Sequence, residues 1–448
     1  MSIFRAYDIR GEYPGQVNEE LAHKIGLAFG KFVGSGVAVV GMDVRKSGPS
    51  LKENLIKGLT EMGLGVIDIG MVPTPLLYFF VARNKLDAGV MITASHNPRG
   101  YNGFKLCGKN GVCLSYETGV GEVERLIKAG VKPLGKKGGI SFRSAENDYI
   151  YFVLGKARFA KPLRMVIDAG NGAAGKVSCE IFRKLGCEVF DLYCEPDGEF
   201  PNHHPDPLVK ENLRALQAKV KEMGADIGIA YDGDGDRVGF VDERGNVVSN
   251  NKVYALLIEN VLEKNPGGKI IHEVLASKLV EEIIRKKGGI PVISKVGHSY
   301  IQSKMFEEDC ILGGETSGHY YFKENYNYDD GIFASVKLAE LLSRSDKPLS
   351  ELENELPGYM TSDDTRVHCP DEKKFEVVEN LRKKFKGMGK MITIDGVKVM
   401  LENSWFIVRA SNTQPALVLR WEANDEKEFE RVGTFVRKEV EREIKNLS

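Results

Sequence analysis

Apolar residues in the first third of the chain recur with two different periods. Leu21, Ile25 and Phe29 are spaced as on one face of a helix, and the apolar run VAVV at 37–40 is short enough to be a buried strand. The alternation continues to the run AGVMI at 88–92, which leads directly into a polar segment containing Ser95. This pattern predicts strands alternating with helices, as in α/β domains.

The same alternation of helical and strand-like segments occurs twice more. The second copy ends in DIGIA at 226–230, which leads into YDGDGDR at 231–237. The third copy ends in CIL at 310–312, which leads into GGETSGH at 313–319. Open α/β sheets bind their ligands at the carboxyl ends of the strands. We therefore expect the three polar loops to line one shared cleft.

The last part of the chain follows a different pattern. A polar stretch at 358–374 resembles a linker and precedes a helical segment, several strand-like segments and a charged closing helix. The segment at 404–423 is typical of two strands joined by a loop at 409–414. The predicted fold is therefore α/β with four domains, namely three related α/β domains at 1–147, 148–250 and 251–361 and a smaller α+β domain at 362–448.

Composition narrows the cellular setting and the partners. The chain has 448 residues, and its 62 basic and 63 acidic residues leave a net charge of -1. It therefore offers no general electrostatic attraction to nucleic acid or to an anionic membrane. The sequence has no run typical of a membrane span, and its first residues lack the apolar core of a signal peptide. We expect a soluble cytoplasmic protein, and the oligomeric state is left open.

The cysteines do not suggest a covalent framework. There are seven of them, an odd number, and none has the paired CxxC spacing of a zinc site. Their surroundings are apolar, which is typical of cysteines that act as small core residues. We expect them to be reduced.

The segment DGDGD at 232–236 is the strongest metal-binding candidate. Asp232, Asp234 and Asp236 alternate with glycines, so the backbone can bend tightly while three carboxylates converge. Carboxylate oxygens are the ligands that hard divalent cations take. An EF-hand loop begins similarly, but Arg237 stands where that loop requires glycine. The three carboxylates favour Mg²⁺, with water or phosphate oxygens completing its coordination.

Two further loops carry groups that suit a phosphorylated sugar. The segment RASNT at 409–413 combines a guanidinium group, hydroxyls, an amide and successive backbone N–H groups, which are donors suited to a phosphate. In GETSGH, Glu315 and Ser317 are suited to bind sugar hydroxyls, and His319 lies beside them.

Several of these segments occur in an order that resembles a known family. TASHNP at 93–98, DGDGDR at 232–237, GETSGH at 314–319 and RASNT at 409–413 are similar to the phosphoserine, metal, sugar and phosphate loops of the α-D-phosphohexomutase family. YNGFK at 101–105 and further stretches extend the resemblance over nearly the whole chain. It implies a four-domain enzyme that moves a phosphoryl group between O1 and O6 of a hexose through a phosphorylated serine. The implied cofactors are Mg²⁺ and a hexose 1,6-bisphosphate, which is both activator and intermediate.

The resemblance also implies roles for individual residues. The implied catalytic residues are Ser95, His96, Lys105, Arg10, Arg237 and His298. The implied metal ligands are Ser95, Asp232, Asp234 and Asp236. The implied substrate-binding residues are Tyr7, Glu315, Ser317, His319, Arg409, Ser411, Asn412 and Thr413. In this assignment Ser95 carries the phosphoryl group, Arg237 offsets its charge, and Lys105, Arg10 or His298 transfers the proton.

The preferred sugar is less sharply indicated. The sugar loop and the segment at 404–423 resemble the phosphomannomutase/phosphoglucomutase branch, which favours mannose and glucose phosphates. Members of that branch usually carry Met at the position of Thr316, whereas phosphoglucosamine mutases usually carry Gln, so Thr316 does not decide between them. The branch also typically has a substrate-contacting lysine where this chain has Leu275. Lys278 and Lys295 are candidates to replace it.

Three alternatives stay open at this point. Phosphoglucosamine mutase is the alternative within the family. A haloacid-dehalogenase-type phosphatase or mutase would use Asp232 as nucleophile and Asp234 as acid, but it expects Thr or Val at Asp236 and leaves Ser95 without a role. A sugar-phosphate-binding protein without activity would tolerate loss of the serine or an aspartate, and all of these residues are present.

Overall fold

The strands of the protein form four separate sheets. The computed structural model describes residues 3–411 and 415–447, and each sheet is built from one continuous part of the chain. The chain order of the four sheets follows the order of the segments predicted from the sequence.

The first sheet has six strands in the order β1-β5-β4-β2-β3-β6. Its elements are β1 (Ile9–Glu12), α1 (Glu19–Val33), β2 (Val37–Met42), α2 (Gly48–Glu61), β3 (Gly65–Met71), α3 (Thr74–Arg83), β4 (Ala88–Ile92), β5 (Tyr101–Cys107), α4 (Gly121–Ala129) and β6 (Ile140–Phe142). Strands β2, β3, β4 and β6 are parallel, and β5 runs antiparallel between β4 and β1. The segment containing Ser95 leaves the carboxyl end of β4, at the centre of this sheet.

The second sheet has five strands in the order β11-β10-β9-β7-β8. Its elements are α5 (Glu146–Lys156), β7 (Arg164–Asp168), α6 (Gly175–Lys184), β8 (Glu188–Leu192), α7 (Arg214–Met223), β9 (Ile227–Tyr231), β10 (Val238–Asp242) and β11 (Val247–Val248). Strands β7, β8 and β9 are parallel, and β10 pairs antiparallel with β9. The DGDGD segment is therefore the turn between β9 and β10.

The third sheet has four strands in the order β13-β12-β14-β15. Its elements are α8 (Asn250–Lys264), β12 (Lys269–Glu273), α9 (Lys278–Lys286), β13 (Ile290–Ser294), α10 (His298–Glu308), β14 (Leu312–Gly314), β15 (Tyr320–Phe322), α11 (Gly331–Arg344) and α12 (Leu349–Asn354). The GETSGH segment joins β14 to β15, which pair antiparallel. The predicted strand at 310–312 thus begins two residues later and runs into the glycine pair.

The fourth sheet is antiparallel, in the order β16-β21-β20-β19-β18, with β17 also paired to β21. Its elements are β16 (Met360–Thr361), β17 (Thr365–His368), α13 (Lys374–Lys384), β18 (Lys390–Ile392), β19 (Val397–Met400), β20 (Ser404–Ala410), β21 (Ala416–Ala423) and α14 (Glu426–Leu447). The linker interpretation of 358–374 is wrong for the residues of β16 and β17, because both strands hydrogen-bond to β21. Edge pairing of this kind does not require an apolar run, so the polar composition concealed it.

The predicted domain limits stay a prediction, and the structure refines where they would fall. Helix α5 begins at Glu146 and α8 begins at Asn250, so the limits at 147 and 250 each lie at the start of a helix. Strand β16 ends at Thr361 but belongs to the fourth sheet, so the last limit would move before Met360.

The first three domains share a continuous apolar core. Phe79 of α3 packs on Tyr149 of α5, with ring centroids 5.4 Å apart, and both belong to one buried cluster that also contains Phe333 of α11. The fourth domain has a separate core around Phe406, Trp421 and Val436. The seven cysteines are all buried free thiols. Among the described helices, none has the length and apolar character that crossing a membrane requires.

Candidate functional site

Ser95 lies at the mouth of the first domain and points at the metal loop of the second. Its side chain is buried, and its Oγ donates a hydrogen bond of 2.7 Å to Oδ2 of Asp232 and lies 3.0 Å from Nδ1 of His96. The backbone of Ser95 has φ of +49°, a left-handed conformation that costs free energy for a residue with a side chain. The surrounding contacts therefore hold this serine in an unfavourable backbone conformation that aims its hydroxyl at the carboxylates.

Arg45 supplies much of that restraint. Its guanidinium group is buried and donates to four backbone carbonyls of the serine loop, including Ser95 at 2.8 Å and Asn97 at 2.6 Å. Asp43 pairs with it at 3.2 Å and also accepts a hydrogen bond from Thr93. No role for this arginine could be predicted from the sequence, because a single Arg in a loop carries no signal of its own before the fold brings it near its acceptors.

Glycines allow the metal loop to reach Ser95. A Cβ atom at Gly233 would lie 2.6 Å from the carbonyl oxygen of Ser95, so no larger residue fits there without movement. Gly235 has φ of +75°, which favours glycine. The alternation of glycine and aspartate is therefore explained by close backbone approach at one glycine and by turn geometry at the other.

The three aspartates converge as the spacing predicted. Asp232, Asp234 and Asp236 are fully buried, and each offers a carboxylate oxygen within 4.8 Å of the others. Burial, together with the neighbouring Asp236 and Asp234, raises the pKa of Asp232 well above its usual value. Oδ1 of Asp234 and Oδ1 of Asp236 have no hydrogen-bond partner within the described part of the chain. Buried carboxylates with free oxygens that face one another fit a hard divalent cation such as Mg²⁺.

Lys105 is part of this cluster. Its Nζ lies 2.8 Å from Oδ2 of Asp234 and also pairs with Asp236. Burial on its own would lower the pKa of Lys105, but these two carboxylates keep it above its ordinary value. Lys105 therefore stands as a cation bound to two carboxylates of the metal loop.

Arg237 and His319 face the cluster from the other side. Nε of Arg237 lies 3.3 Å from Nε2 of His319, and the same ring nitrogen lies 3.4 Å from Oδ1 of Asp236. The Oγ atom of Ser317 lies 2.9 Å from Nδ1 of His319. Burial lowers the pKa of His319, so its imidazole favours the neutral form that can accept a proton.

His298 and Tyr7 form the next wall of the cleft. His298 begins helix α10, and its ring centroid lies 6.4 Å from that of His319 and 5.0 Å from that of Tyr7. Both ring nitrogens of His298 are buried without a hydrogen-bond partner among the described residues. Gly297 precedes it with φ of +129°, and a Cβ there would lie 3.0 Å from Tyr7. This histidine is therefore held by packing and has both nitrogens available.

Arg10 approaches from the first strand. It donates from Nη1 to Oδ1 of Asn97 at 2.7 Å, and its Nη2 pairs with Asp8. Burial and the charge of Arg237 lower the pKa of His96, and Arg10 adds to that effect. Arg10, Lys105 and Arg237 thus make the surroundings of Ser95 rich in positive charge.

The sugar loop carries a buried carboxyl group. Glu315 accepts hydrogen bonds from Tyr321 and from the backbone N–H of Gly297. Burial and the neighbouring Glu273 raise the pKa of Glu315 to about 8. Thr316, the position that distinguishes branches, donates to Glu273 from both its N–H and its Oγ1, at 2.6 and 2.5 Å.

The predicted phosphate loop is only partly described. Arg409, next to the last residue of β20, pairs with Asp395 at 2.9 Å. Asp395 in turn accepts a hydrogen bond of 3.3 Å from the N–H of Val296. One carboxylate thus links Arg409 to the segment just before His298. Ser411 is buried, and its carbonyl accepts from Lys374. Asn412 and Thr413 lie outside the described residues.

Lys278 and Lys295, the candidates to replace the family lysine at Leu275, do not lie closest to that residue among the contacts described below. Lys278 pairs with Glu282 at 3.3 Å, and Lys295 lies over the ring of Tyr300. Instead, Nζ of Lys398, from the fourth domain, donates to the carbonyls of Val274 and Ala276 at 2.8 and 3.1 Å. Leu275 itself packs with Trp405 and Ile407 of the fourth domain.

Asp329 is a further buried group that sequence reasoning did not single out. Its carboxylate oxygens have no hydrogen-bond partner among the described residues, and Oδ2 lies 3.6 Å from Nε2 of His319. Burial and the charge of Asp236 raise its pKa well above the usual value. The only signal in the sequence was the paired aspartates of YDDG at the start of α11, where Asp330 serves as the helix cap.

Comparisons with known proteins agree with this architecture. Four family models match in order: the alpha/beta/alpha domains I, II and III of phosphoglucomutase/phosphomannomutase at 1–132, 147–245 and 249–359, and its C-terminal domain at 365–439. A phosphomannomutase/phosphoglucomutase of Pseudomonas putida is 43% identical over 449 residues, with 98% of this chain and 95% of that protein covered. The corresponding protein of Pseudomonas aeruginosa is 41% identical over 451 residues, with the same coverage.

A solved structure points the same way. The crystal structure of a phosphoglucomutase/phosphomannomutase family protein from Burkholderia thailandensis superposes with a TM-score of 0.92 at 36% identity, covering 98% of this chain and 97% of that one. The predicted fold class, three related α/β domains followed by a smaller α+β domain, is confirmed, and this is the architecture of phosphohexomutases. The chain belongs to the phosphoglucomutase/phosphomannomutase family. The family matches give no support to the haloacid-dehalogenase alternative.

Proposed function

We propose that this protein interconverts hexose 1-phosphate and hexose 6-phosphate, with mannose and glucose phosphates as substrates. The observation that carries the proposal is the hydrogen bond from Ser95 Oγ to Asp232, inside the cluster of three buried carboxylates. A serine hydroxyl held in that position is suited to carry a phosphoryl group beside a metal ion. The relatives named phosphomannomutase/phosphoglucomutase support the choice of sugars.

The free carboxylate oxygens of Asp234 and Asp236, with Asp232 and the phosphorylated Ser95, would hold Mg²⁺. The ion, when bound, neutralises charge on the transferring phosphoryl group. Arg237 and Lys105 add positive charge around the same group. Phosphoryl transfer depends mainly on such positioning and charge stabilisation.

Proton transfer falls to groups near the reacting hydroxyl. When phosphoserine donates its phosphoryl group to a sugar hydroxyl, the bond from phosphorus to Ser95 Oγ breaks as the bond to the sugar oxygen forms. A base must take the proton of the sugar hydroxyl, and the departing Ser95 Oγ must take up a proton. His319, His298, Lys105 and Arg10 line the cleft. The neutral imidazoles favoured by burial of the two histidines can accept it.

The sugar and its distal phosphate require a second set of groups. Glu315 and Ser317 are proposed to bind sugar hydroxyls, together with Tyr7, which lies beside His298. Arg409 and Ser411, with Asn412 and Thr413 outside the described residues, are proposed to hold the phosphate that is not reacting. A hexose 1,6-bisphosphate intermediate must turn end for end between transfers, so each phosphate occupies both positions in turn. Cytoplasmic location stays a prediction from the sequence.

Initial rates test the proposal. We expect turnover of mannose 1-phosphate and glucose 1-phosphate, each assayed with Mg²⁺ and its 1,6-bisphosphate, and slower turnover of glucosamine 1-phosphate. Ser95→Ala should abolish turnover without changing the circular dichroism spectrum, and Arg409→Ala should raise KM more than it lowers kcat. Wild-type rates in Ser95→Ala would refute the proposed reaction. A clear preference for glucosamine 1-phosphate would instead indicate phosphoglucosamine mutase.

A further inference from the structure

Two of the seven cysteines lie in contact, in a region that the proposed reaction does not use. The Sγ atoms of Cys179 and Cys194 are 3.6 Å apart. Cys179 belongs to helix α6, and Cys194 follows strand β8, which ends at Leu192. Disulfide formation requires an S–S distance of about 2.05 Å, so the sulfurs need to approach by roughly 1.5 Å.

The backbone holds these two segments together. Gly175, the first residue of α6, packs so closely that a Cβ atom there would lie 2.5 Å from the carbonyl oxygen of Cys194 and 2.9 Å from its Cβ. The Cys194 thiol also donates to the carbonyl of Ile167 at 3.2 Å. The pair is therefore a fixed feature of the fold rather than a chance approach of two mobile side chains.

Solvent can reach the pair although both side chains are mostly covered. A cavity of about 510 Å³ opens to the surface and is lined by both cysteines. Lys176, Arg183 and Lys184 line the same cavity, and each is paired with a carboxylate that also lines it, namely Glu195, Asp191 and Glu180. Cys179 has Lys176 three residues before it and Arg183 four residues after it, so both cations share its side of the helix.

We propose that Cys179 and Cys194 form a redox-active dithiol, which low-molecular-weight disulfides oxidise to an intramolecular disulfide. The proposal is independent of the phosphotransfer reaction, because neither cysteine contacts the groups assigned to it. The cavity opens to solvent beside both sulfurs, so it would admit a small disulfide such as oxidised glutathione.

The reaction balances as two exchange steps. The Cys179 thiolate attacks one sulfur of the reagent, the reagent's S–S bond breaks, and one thiolate leaves. The Cys194 thiolate then attacks the Cys179 sulfur of the mixed disulfide, forming the internal bond and releasing the second thiolate. The two protons lost by the cysteines are taken up by the leaving thiolates, so one disulfide and two protein thiols give one protein disulfide and two small thiols.

The order of attack follows from the surroundings of the two sulfurs. The contact with Cys179 and burial raise the pKa of the Cys194 thiol, and its proton is held by the carbonyl of Ile167. Because the hydrogen of the Cys194 thiol is held in this way, we assign Cys179, whose sulfur lies against it, as the first nucleophile. Cys194 then resolves the mixed disulfide.

The test uses the full-length protein, first reduced and then incubated with oxidised glutathione. Thiols titrated after denaturation should fall from seven to five, and non-reducing peptide mapping should find one cross-link, between Cys179 and Cys194. Dithiothreitol should restore all seven thiols. Cys179→Ser should prevent the cross-link, and Cys194→Ser should stop the reaction at a mixed disulfide on Cys179. Cys187→Ser, which changes a lone buried cysteine of the same domain, is the matched control and should cross-link as wild type does.

Three results would overturn the proposal. The first is an unchanged count of seven thiols in folded wild-type protein after prolonged exposure to oxidised glutathione. The second is a cross-link that joins other cysteines, such as the neighbouring pair Cys107 and Cys113. The third is a wild-type mixed disulfide on Cys179 that persists without closing onto Cys194.

Discussion

The first three domains and the fourth are attached to one another in different ways. Phe79, Tyr149 and Phe333 show how the first three domains share one buried apolar cluster. The fourth domain keeps its own core and meets the third through a small cluster in which Leu275 packs with Trp405. A small interface of this kind allows relative motion of domains, whereas a shared core opposes it.

The polar contacts between domains show the same difference as the apolar ones. Across the first two domains, Ser95, Lys105 and the three aspartates form one dense buried cluster. Across the third and fourth domains, the contacts are separate bonds, such as Arg420 to Thr316 at 3.1 Å and the N–H of Lys278 to Glu422 at 2.9 Å. The proposed phosphoryl transfer therefore takes place between the first two domains, which are rigidly joined. The proposed binding site for the distal phosphate belongs to the fourth domain, whose interface allows more motion.

Removal of the fourth domain is expected to have the largest effect. A chain ending at Gly358, just before β16, should still fold its first three domains, because their core is continuous without the fourth. It should retain Mg²⁺ binding, measured by calorimetry, and lose turnover to background, because the distal phosphate has no site. Wild-type turnover in the truncated chain would show that the fourth domain is not needed.

Asp234→Asn is the next largest change and acts on the rigid part. It removes one carboxylate charge from the metal cluster, so we expect kcat to fall by about 10²-fold or more and Mg²⁺ affinity to fall with it. Glu188→Gln, which removes an exposed carboxylate of the same domain, should change neither quantity. Undiminished wild-type turnover in excess EDTA would contradict the metal assignment.

Trp405→Ala tests the interface itself. The indole is buried against Leu275, and its Nε1 donates to Glu422 at 2.8 Å. Its loss should destabilise the fourth domain by about 3–5 kcal/mol, because it leaves a cavity and removes one of the hydrogen bonds that Glu422 accepts. We expect a lower-temperature transition in calorimetry and a higher KM for phosphosugars, with kcat less affected. A single unshifted transition would show that the interface contributes little.

The smallest expected effect is a pH dependence of the stability of the fourth domain. Burial lowers the pKa of Lys398 to about 7. The unfolded chain keeps this amino group protonated up to about pH 10, so unfolding takes up a proton between these two values and stability rises with pH there. The transition temperature of the fourth domain should therefore rise by a few degrees above neutral pH in wild type. In Lys398→Met this rise should be absent.

The loops of the site could be predicted because each follows a strand whose apolar run is visible in the sequence. The aspartates of the metal loop were found in this way, because their alternation with glycine by itself indicates a tight turn with converging carboxylates. Ser95 and Lys105 were placed beside that loop by family resemblance, and the structure brings all of them together. The three-domain cleft could be predicted because parallel strands present their carboxyl ends at one edge.

Other parts depend on contacts between residues far apart in the chain, which no local pattern records. Arg45 acts on carbonyls about fifty residues away, and Asp329 meets His319 only once α11 is packed. Lys398 reaches the segment around Leu275 from a different domain. The strands at 360–361 and 365–368 were missed because their pairing with β21, rather than their composition, makes them strands.

The central claim, that Ser95 is the residue that carries the phosphoryl group, is tested most directly by phosphopeptide mapping. The protein is incubated with glucose 1,6-bisphosphate and Mg²⁺, digested, and sequenced by mass spectrometry, with a parallel digest treated with hydroxylamine to release acyl phosphates. We predict a single phosphorylation site at Ser95 that hydroxylamine does not remove. Phosphate found on Asp232, removable by hydroxylamine and with none on Ser95, would contradict the account.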